Sequence, residues 1–337
     1  MQLRFKPHTL ELHYAFGVAS NTRTSTPAML VEVEHDGLIG YGEASMPPYL
    51  GESQASAAAF LQQVDLGRFP DPLRLDEILP ALDALAPGNT AAKAAVDIAL
   101  HDWVGKRRGA PWHRLWGLDP ARTPVTSFTL GIDTPPVMQQ KAREASAYPI
   151  LKIKLGRDND RELIAAIREV TDKPLYIDAN QGWKNREDAL RMCEWLAPRG
   201  VVLIEQPMSK EQDVDTAWLR ERSPLPLIAD ESVQRLADVS RAVGVFDGIN
   251  IKLMKCTGLH EAHRMIGRAR ELGLKVMLGC MTETSCAISA AAQLSPLVDW
   301  ADLDGALLIK NDPFVGVTIV DGRLTLSDRP GIGVVKR

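Results

Sequence analysis

No apolar run in this 337-residue chain reaches the length of a membrane span. The opening Met1-Gln2-Leu3-Arg4-Phe5-Lys6 lacks the apolar core of a signal peptide, so a cytoplasmic location is expected. Cysteine is scarce. Cys193, Cys256, Cys280 and Cys286 form no CxxC and no paired spacing, and they read as reduced thiols that pack. The seven histidines make no HxH or HExxH pattern. Neither sign of charge dominates: 39 basic and 43 acidic residues are interleaved for a net charge of −4. That excludes the footprint of a nucleic-acid or membrane-surface partner. There is no low-complexity segment and no Gly/Ser-rich linker. Gly331-Ile332-Gly333 is not followed by a strand-to-helix unit, which removes it as a nucleotide loop.

What is present is ordinary globular material, 45% hydrophobic and 24% charged, enough for a large core and two domains. Residues 1–118 read as an α+β domain. Ala28 to Glu34 alternates, Asp36-Gly37 turns, and Leu38 to Glu43 returns, a hairpin pattern. Helices are expected over Ser53 to Val64, over Leu73 to Leu85 behind Pro72, and over Thr90 to Lys106. The last would be capped by Asn89, ended by Gly109, and striped by Ala92, Ala95, Val96, Ala99 and Trp103. His101 in that helix reads as structural.

From residue 119 to 310 the texture changes. Short apolar runs begin at Thr126, Ile150, Leu175, Val201, Leu227, Gly248, Lys275 and Val298, separated by helical patterns such as Arg161 to Val170, Asn185 to Leu196 and Gly258 to Leu272. Eight β units with a helix after nearly every one predict an α/β fold, a (β/α)7-8 TIM-type barrel behind the N-terminal capping domain. The segment 311–337 returns to hairpin texture around Asp321-Gly322. It is too short for a domain and is expected to pack back on the capping domain.

Polar residues end several of these strands. Asp178, Glu205 and Asp230 follow three consecutive apolar runs, and strand C-termini face the active site in such barrels. Three converging carboxylates repel one another, and a hard divalent cation resolves the repulsion. Oxygen-only ligands favour Mg²⁺ or Mn²⁺ over zinc. In Ile150-Leu151-Lys152-Ile153-Lys154-Leu155 both lysines share one strand face. Lys154 on the second strand and Lys252 on the sixth lie across the barrel. One amine can take a proton from carbon while the other delivers one from the far side. Bidentate coordination of the neighbouring carboxylate to the cation would stabilise the enediolate between them. The cation and the second ammonium would bring a lysine toward neutrality. Asp302 and Asp304 share the face of the eighth run and suit an ammonium group. Lys255, three residues past Lys252, reads as a surface or supporting residue.

The set Lys152-Ile153-Lys154, Asp178-Ala179-Asn180, Glu205-Gln206-Pro207, Ala229-Asp230-Glu231-Ser232 and Asn250-Ile251-Lys252-Leu253 resembles the muconate-lactonizing subgroup of the enolase superfamily over nearly the whole chain. The resemblance implies Mg²⁺ on Asp178, Glu205 and Asp230, an acid/base pair in Lys154 and Lys252, and electrostatic help to the substrate carboxylate from Lys152. Within the subgroup, Asp302-Leu303-Asp304 is similar to the pair that binds the α-amino group in dipeptide epimerases, and Thr129 falls where those enzymes contact substrate.

The implied activity is an isomerase: a dipeptide epimerase inverting the Cα of the C-terminal residue of L-Ala-Xaa by two-lysine 1,1-proton transfer. The implied partner is a small dipeptide, and self-association into a homo-oligomer stays open. Epimerases of L-Ala-Glu resemble each other in an arginine on an early capping loop. An ungapped match puts Asn21 there, with Arg23 two residues on, so a neutral second residue is expected. Thr282 is expected in the same pocket, covered by loops Phe16 to Arg23 and Ser45 to Glu52. Two alternatives stand: a cycloisomerase or o-succinylbenzoate synthase on the same framework, whose substrates carry no ammonium, and a non-catalytic, metal-stabilised binding barrel.

Overall fold

A computed structural model describes residues 1–337. Strands β1 (Gln2–Gly17), β2 (Thr22–His35) and β3 (Leu38–Ser45) form an antiparallel sheet in that order. The β2–β3 turn is Asp36-Gly37 as expected, with φ of 47° and 73°, the left-handed pair that a tight two-residue hairpin needs. β1 was not expected. It is an edge strand rich in charge that carries Pro7 opposite Met29, shifts register between Glu11 and Phe16, and meets only a short bridge from Leu12 to Ile309 on its outer side.

The helix Thr90–Arg108 lies directly on β3. A Cβ at Gly40 or Gly42 would sit 2.0 Å from the Ala99 carbonyl or 1.9 Å from that of Ala95. Glycine on the strand and alanine on the helix thus let two backbones touch. Gly109 ends the helix with φ of 69°. Asn89 does not cap it. Glu52 does, accepting from Ala91 N at 3.0 Å and Thr90 Oγ1 at 3.1 Å, because Asn89 itself adopts φ of 51° and turns its amide to Pro87.

The barrel strands are β4 (Phe128–Leu130), β5 (Leu151–Lys154), β6 (Leu175–Asp178), β7 (Val201–Glu205), β8 (Leu227–Ala229), β9 (Gly248–Lys252), β10 (Lys275–Gly279) and β11 (Trp300–Asp302). All eight are parallel and paired in sequence order. A bridge from Thr126 to Ala301 closes the ring. Register then sets the chemistry: Lys154 stands beside Asp178, Asp178 beside Glu205, and Gly279 beside both Lys252 and Asp302. In the tail, Thr318–Val320 pairs with Arg323–Thr325, Lys336 reaches Glu32 on β2 at 2.6 Å, and Ile332 N donates to Asp102 of the capping helix at 3.0 Å.

Two buried carboxylates of the capping domain cap barrel helices. Asp97 accepts from Leu259 N at 2.7 Å and His260 N at 3.1 Å, at the start of the helix Leu259–Glu271. Glu43 accepts from Thr284 N at 2.9 Å and Ala287 N at 3.3 Å, at the start of Ser285–Ala292. A negative charge at a helix N-terminus satisfies free N–H groups and meets the positive end of the dipole. His101 packs beside Asp97, and its Nδ1–H donates to the Asp97 carbonyl at 2.9 Å, which fits a structural role. Asp97→Ala leaves two buried N–H groups without partners. We expect it to cost about 1–3 kcal/mol, read as a lower urea midpoint with near-native circular dichroism.

Candidate active site

Lys154, Asp178, Glu205, Lys252 and Asp302 are each the last residue of their strands, and Asp230 lies just beyond β8. One carboxylate oxygen from each of Asp178, Glu205 and Asp230 falls within a 4.8 Å cluster. Asp230 is held there by Gln206, whose Oε1 accepts from Asp230 N at 2.9 Å and Ser232 N at 3.1 Å. Lys154 Nζ lies 2.5 Å from Asp178 Oδ2, and Lys252 Nζ lies 2.6 Å from Asp230 Oδ2. The two lysines stand four strands apart in a closed ring of eight, hence on opposite walls. Lys152, only 1% exposed, reaches Glu205 at 2.6 Å, Asp302 at 2.7 Å and Asp178 at 3.3 Å. It ties the carboxylate cluster to the eighth strand and does not line the cavity.

Burial raises every carboxyl here, and the lysines decide which stay ionised. For Asp178, Lys154 and then Lys152 outweigh burial and take its carboxyl down to about 2. Burial of Asp230 is likewise overridden, by Lys252 and Lys255, which hold it well below the ordinary range. Glu205 goes the other way: burial, reinforced by the Asp178 charge, pushes it up to about 7. A cluster of oxygen donors whose middle member is driven toward neutrality accommodates more positive charge, and a hard divalent cation fits that donor set. Burial pulls Lys252 down, but Asp230 and then Tyr49, Glu205 and Asp178 outweigh it and hold the ammonium well above its usual value.

Asp302 and Asp304 converge, though not along one strand. β11 stops at Asp302, and Asp304 begins the short helix Gly305–Leu308. Instead of capping that helix, the Asp304 carboxylate accepts from Thr129 N at 2.6 Å. Asp302 accepts from Ser127 Oγ at 2.8 Å. Lys152 outweighs burial at Asp302 and lowers it, whereas burial and the Asp302 charge raise Asp304 to about 7. Thr129, Lys154, Lys252, Asp302 and Asp304 line one cavity of about 440 Å³ together with Phe16, Tyr49, Met281 and Thr282.

The same cavity wall holds Arg23. Asn21 lies in the turn, with its amide on Ser20, while β1–β2 pairing sets Arg23 beside Phe16. The Arg23 guanidinium donates to Thr282 Oγ1 at 3.1 Å and to Thr26 Oγ1 at 3.0 Å. Placing Asn21 at the pocket was therefore wrong, because the unrecognised strand β1 sets the register. Tyr49 was also missed as a single residue within its loop; its phenol donates to Met281 Sδ at 2.5 Å. Lys255 is not on the surface: it is 1% exposed and touches Asp230.

Residues 2–117 match the mandelate racemase/muconate lactonizing enzyme N-terminal domain, and residues 137–336 the enolase C-terminal domain-like family. This chain belongs to the mandelate racemase/muconate lactonizing family of the enolase superfamily. Among relatives, the L-Ala-D/L-Glu epimerase of Bacteroides thetaiotaomicron is 59% identical over 100% of this chain and 88% of that protein. The substrate-liganded L-Ala-D/L-Glu epimerase from Bacillus subtilis superposes with a TM-score of 0.94 at 28% identity, covering 100% of this chain and 98% of that one. The Enterococcus faecalis dipeptide epimerase complexed with Mg and L-Leu-L-Tyr gives a TM-score of 0.91 at 33% identity, covering 99% and 98%. In this chain the barrel supplies the charged groups of the cavity, and Phe16, Arg23 and Tyr49 of the N-terminal domain line its other side. No helix is long and apolar enough to cross a membrane.

Thr282 is held by the joint between the two parts. Ser45 Oγ donates to Thr282 O at 2.6 Å, and Glu43 and Glu283 are both buried beside it. Burial raises Glu43 to about 7 and Glu283 to about 8. Both folded-state values exceed those of the unfolded chain, so their contribution to stability is full below a pH of about 4.5 and is lost as pH rises through about 7 and 8. Glu283→Gln should flatten the fall of the urea midpoint between about pH 5 and 8.5. A slope equal to the parent's across that range counts against the assignment.

Proposed function

We propose that this enzyme is an isomerase that epimerises L-Ala-Glu-type dipeptides at the Cα of the C-terminal residue. The observation that carries the reading is one cavity holding an ammonium-binding pair, two lysines on opposite walls and a guanidinium. Asp302 and Asp304 take the α-amino group of the first residue, with Thr129 bracing Asp304. Arg23 and Thr282 take the side chain of the second. The expectation of a neutral second residue rested on Asn21. With Arg23 on the wall, an acidic one matches better, and the 59% identical relative is named for L-Ala-D/L-Glu.

Asp178, Glu205 and Asp230 would hold Mg²⁺, which supplies charge neutralisation of the substrate carboxylate. Lys154 and Lys252 do the proton chemistry. With a cation offsetting the carboxylates that otherwise keep Lys252 charged, a neutral amine on one wall would remove the Cα proton and the ammonium on the opposite wall would deliver one to the other face of the planar carbon, which inverts the centre. The reverse reaction exchanges their roles. Lys152 stays between Glu205 and Asp302 and holds both carboxylates in place. Phe16 at the end of β1 and Tyr49 in the segment after β3 line the site, and closure of these segments on a substrate would exclude water.

Cycloisomerisation and o-succinylbenzoate synthesis suit this cavity less well, because their substrates offer Asp302 and Asp304 no ammonium. A non-catalytic binding barrel gives no reason for two lysines facing one another. Incubation of L-Ala-L-Glu with Mg²⁺ in D₂O should show deuterium entering at the glutamate Cα alone; absence of exchange across a broad L-Ala-Xaa panel would end the proposal. Lys154→Ala or Lys252→Ala should each reduce kcat by at least about 10²-fold. Arg23→Met should lower kcat/KM for L-Ala-L-Glu about 10- to 150-fold, the value of a hydrogen bond to a charged group, and spare L-Ala-L-Leu. Equal losses on both substrates would return the second residue to the neutral class.

A further inference from the structure

Both oxygens of each carboxylate in the cluster have partners, one of them a lysine of the trio Lys152, Lys154 and Lys252 and the other a group outside that trio. Asp178 Oδ1 accepts from Asn180 N at 2.9 Å, leaving Oδ2 toward Lys154. Glu205 Oε1 accepts from Asn250 Nδ2 at 2.8 Å, leaving Oε2 toward Lys152. Asp230 Oδ1 lies 2.5 Å from Lys255, leaving Oδ2 toward Lys252. The Lys255 ammonium is also saturated. It faces Asp230 O at 2.7 Å, Asn250 O at 3.0 Å and Val233 O at 3.1 Å, in addition to the carboxylate. Four acceptors surround three N–H bonds and the residue is 1% exposed, so Lys255 has no donor to spare for a substrate. Its backbone N–H donates to Lys252 O at 3.0 Å, which fixes it against the strand end.

We propose that Lys255 and Asn250 are positioning residues that restrict Asp230 and Glu205 to one oxygen each, and so make the site select a small divalent cation over a large one. The inference rests on the reading of Asp178, Glu205 and Asp230 as cation ligands. Mg²⁺ demands near-octahedral geometry with single-oxygen ligands, whereas Ca²⁺ takes more oxygens and readily accepts both from one carboxylate. Three carboxylates whose second oxygen is tied to Asn180, Asn250 or Lys255 have only the lysine-facing oxygen to turn to a cation, which meets the first demand and refuses the second. Lys255 is the stronger restraint because its hydrogen bond joins two charges; Asn250 is the weaker, a neutral donor. Loss of either frees a second oxygen to rotate toward the cation. Groups at this distance from a metal tune affinity by about 10- to 100-fold.

The test uses the full chain without dipeptide, so it stands apart from the epimerase activity. Bound Mn²⁺ is followed by electron paramagnetic resonance and displaced by Mg²⁺ or by Ca²⁺. The parent should favour Mg²⁺. In Lys255→Met the ratio of Ca²⁺ to Mg²⁺ dissociation constants should fall at least about tenfold, and in Asn250→Ala it should fall in the same direction by less. Thermal melts check that each variant folds; where Lys255→Met does not fold, Asn250→Ala alone decides. Equal weakening of both cations, with the ratio within about threefold of the parent, identifies a purely structural role and overturns the proposal. Failure of both variants to fold overturns it as well. A parent chain that binds no Mn²⁺ removes the ligand assignment and the inference together, whatever the dipeptide assays show.

Discussion

Burying like charges together is the constraint on which this molecule turns. Asp178, Glu205 and Asp230 are all fully buried at one end of the barrel, where an isolated carboxylate would not stay ionised. The fold answers with four buried lysines: Lys152, Lys154, Lys252 and Lys255. Each is bound to at least one acid of the cluster. Such pairs do not make the core more stable than an apolar one would be, since desolvation offsets most of the attraction. What they provide is placement. A side chain held by a charged partner and a strand backbone has little freedom to wander, and proton transfer depends on that.

The capping domain is bound to the barrel by the same means. Asp97 and Glu43 insert carboxylates at the N-termini of two successive barrel helices, those that follow the strands carrying Lys252 and the Thr282 loop. Arg235 adds a third link, joining Asp83 of the cap to Glu261 of the barrel. These contacts fix Arg23 and Tyr49 of the cap opposite Lys154 and Lys252 of the barrel across one cavity. The two walls of that cavity come from different parts of the chain and are joined by hydrogen bonds.

Much of this was legible beforehand. The eight apolar runs of the barrel were evident from their pitch, and the polar residues at or just past the ends of several runs marked the mouth. Runs of that kind are read easily because parallel strands are buried on both faces. β1 was not read, because an edge strand with one exposed face carries a diluted pattern, and with it went the register that brings Arg23 rather than Asn21 to the cavity. Asn89 looked like a helix cap by residue type, yet Glu52, 37 positions earlier than Asn89 (89 − 52), holds the helix N-terminus. Lys255 read as either a surface or a supporting residue because spacing after a strand end says nothing of the direction in which a turn will point, and the structure turns it inward onto Asp230.

By itself the amino-acid sequence determined the barrel, the cap, the carboxylate cluster and the facing lysines. Those depend on local periodicity and on which residue ends each strand, both properties of a few consecutive positions. Tertiary structure alone decided which capping residue reaches the cavity, which partners hold the Glu205 and Asp230 oxygens, and how the tail and the cap lock to the barrel. Each of these is a meeting of groups tens to hundreds of residues apart. Only closure of the ring and docking of the cap bring them within hydrogen-bond distance.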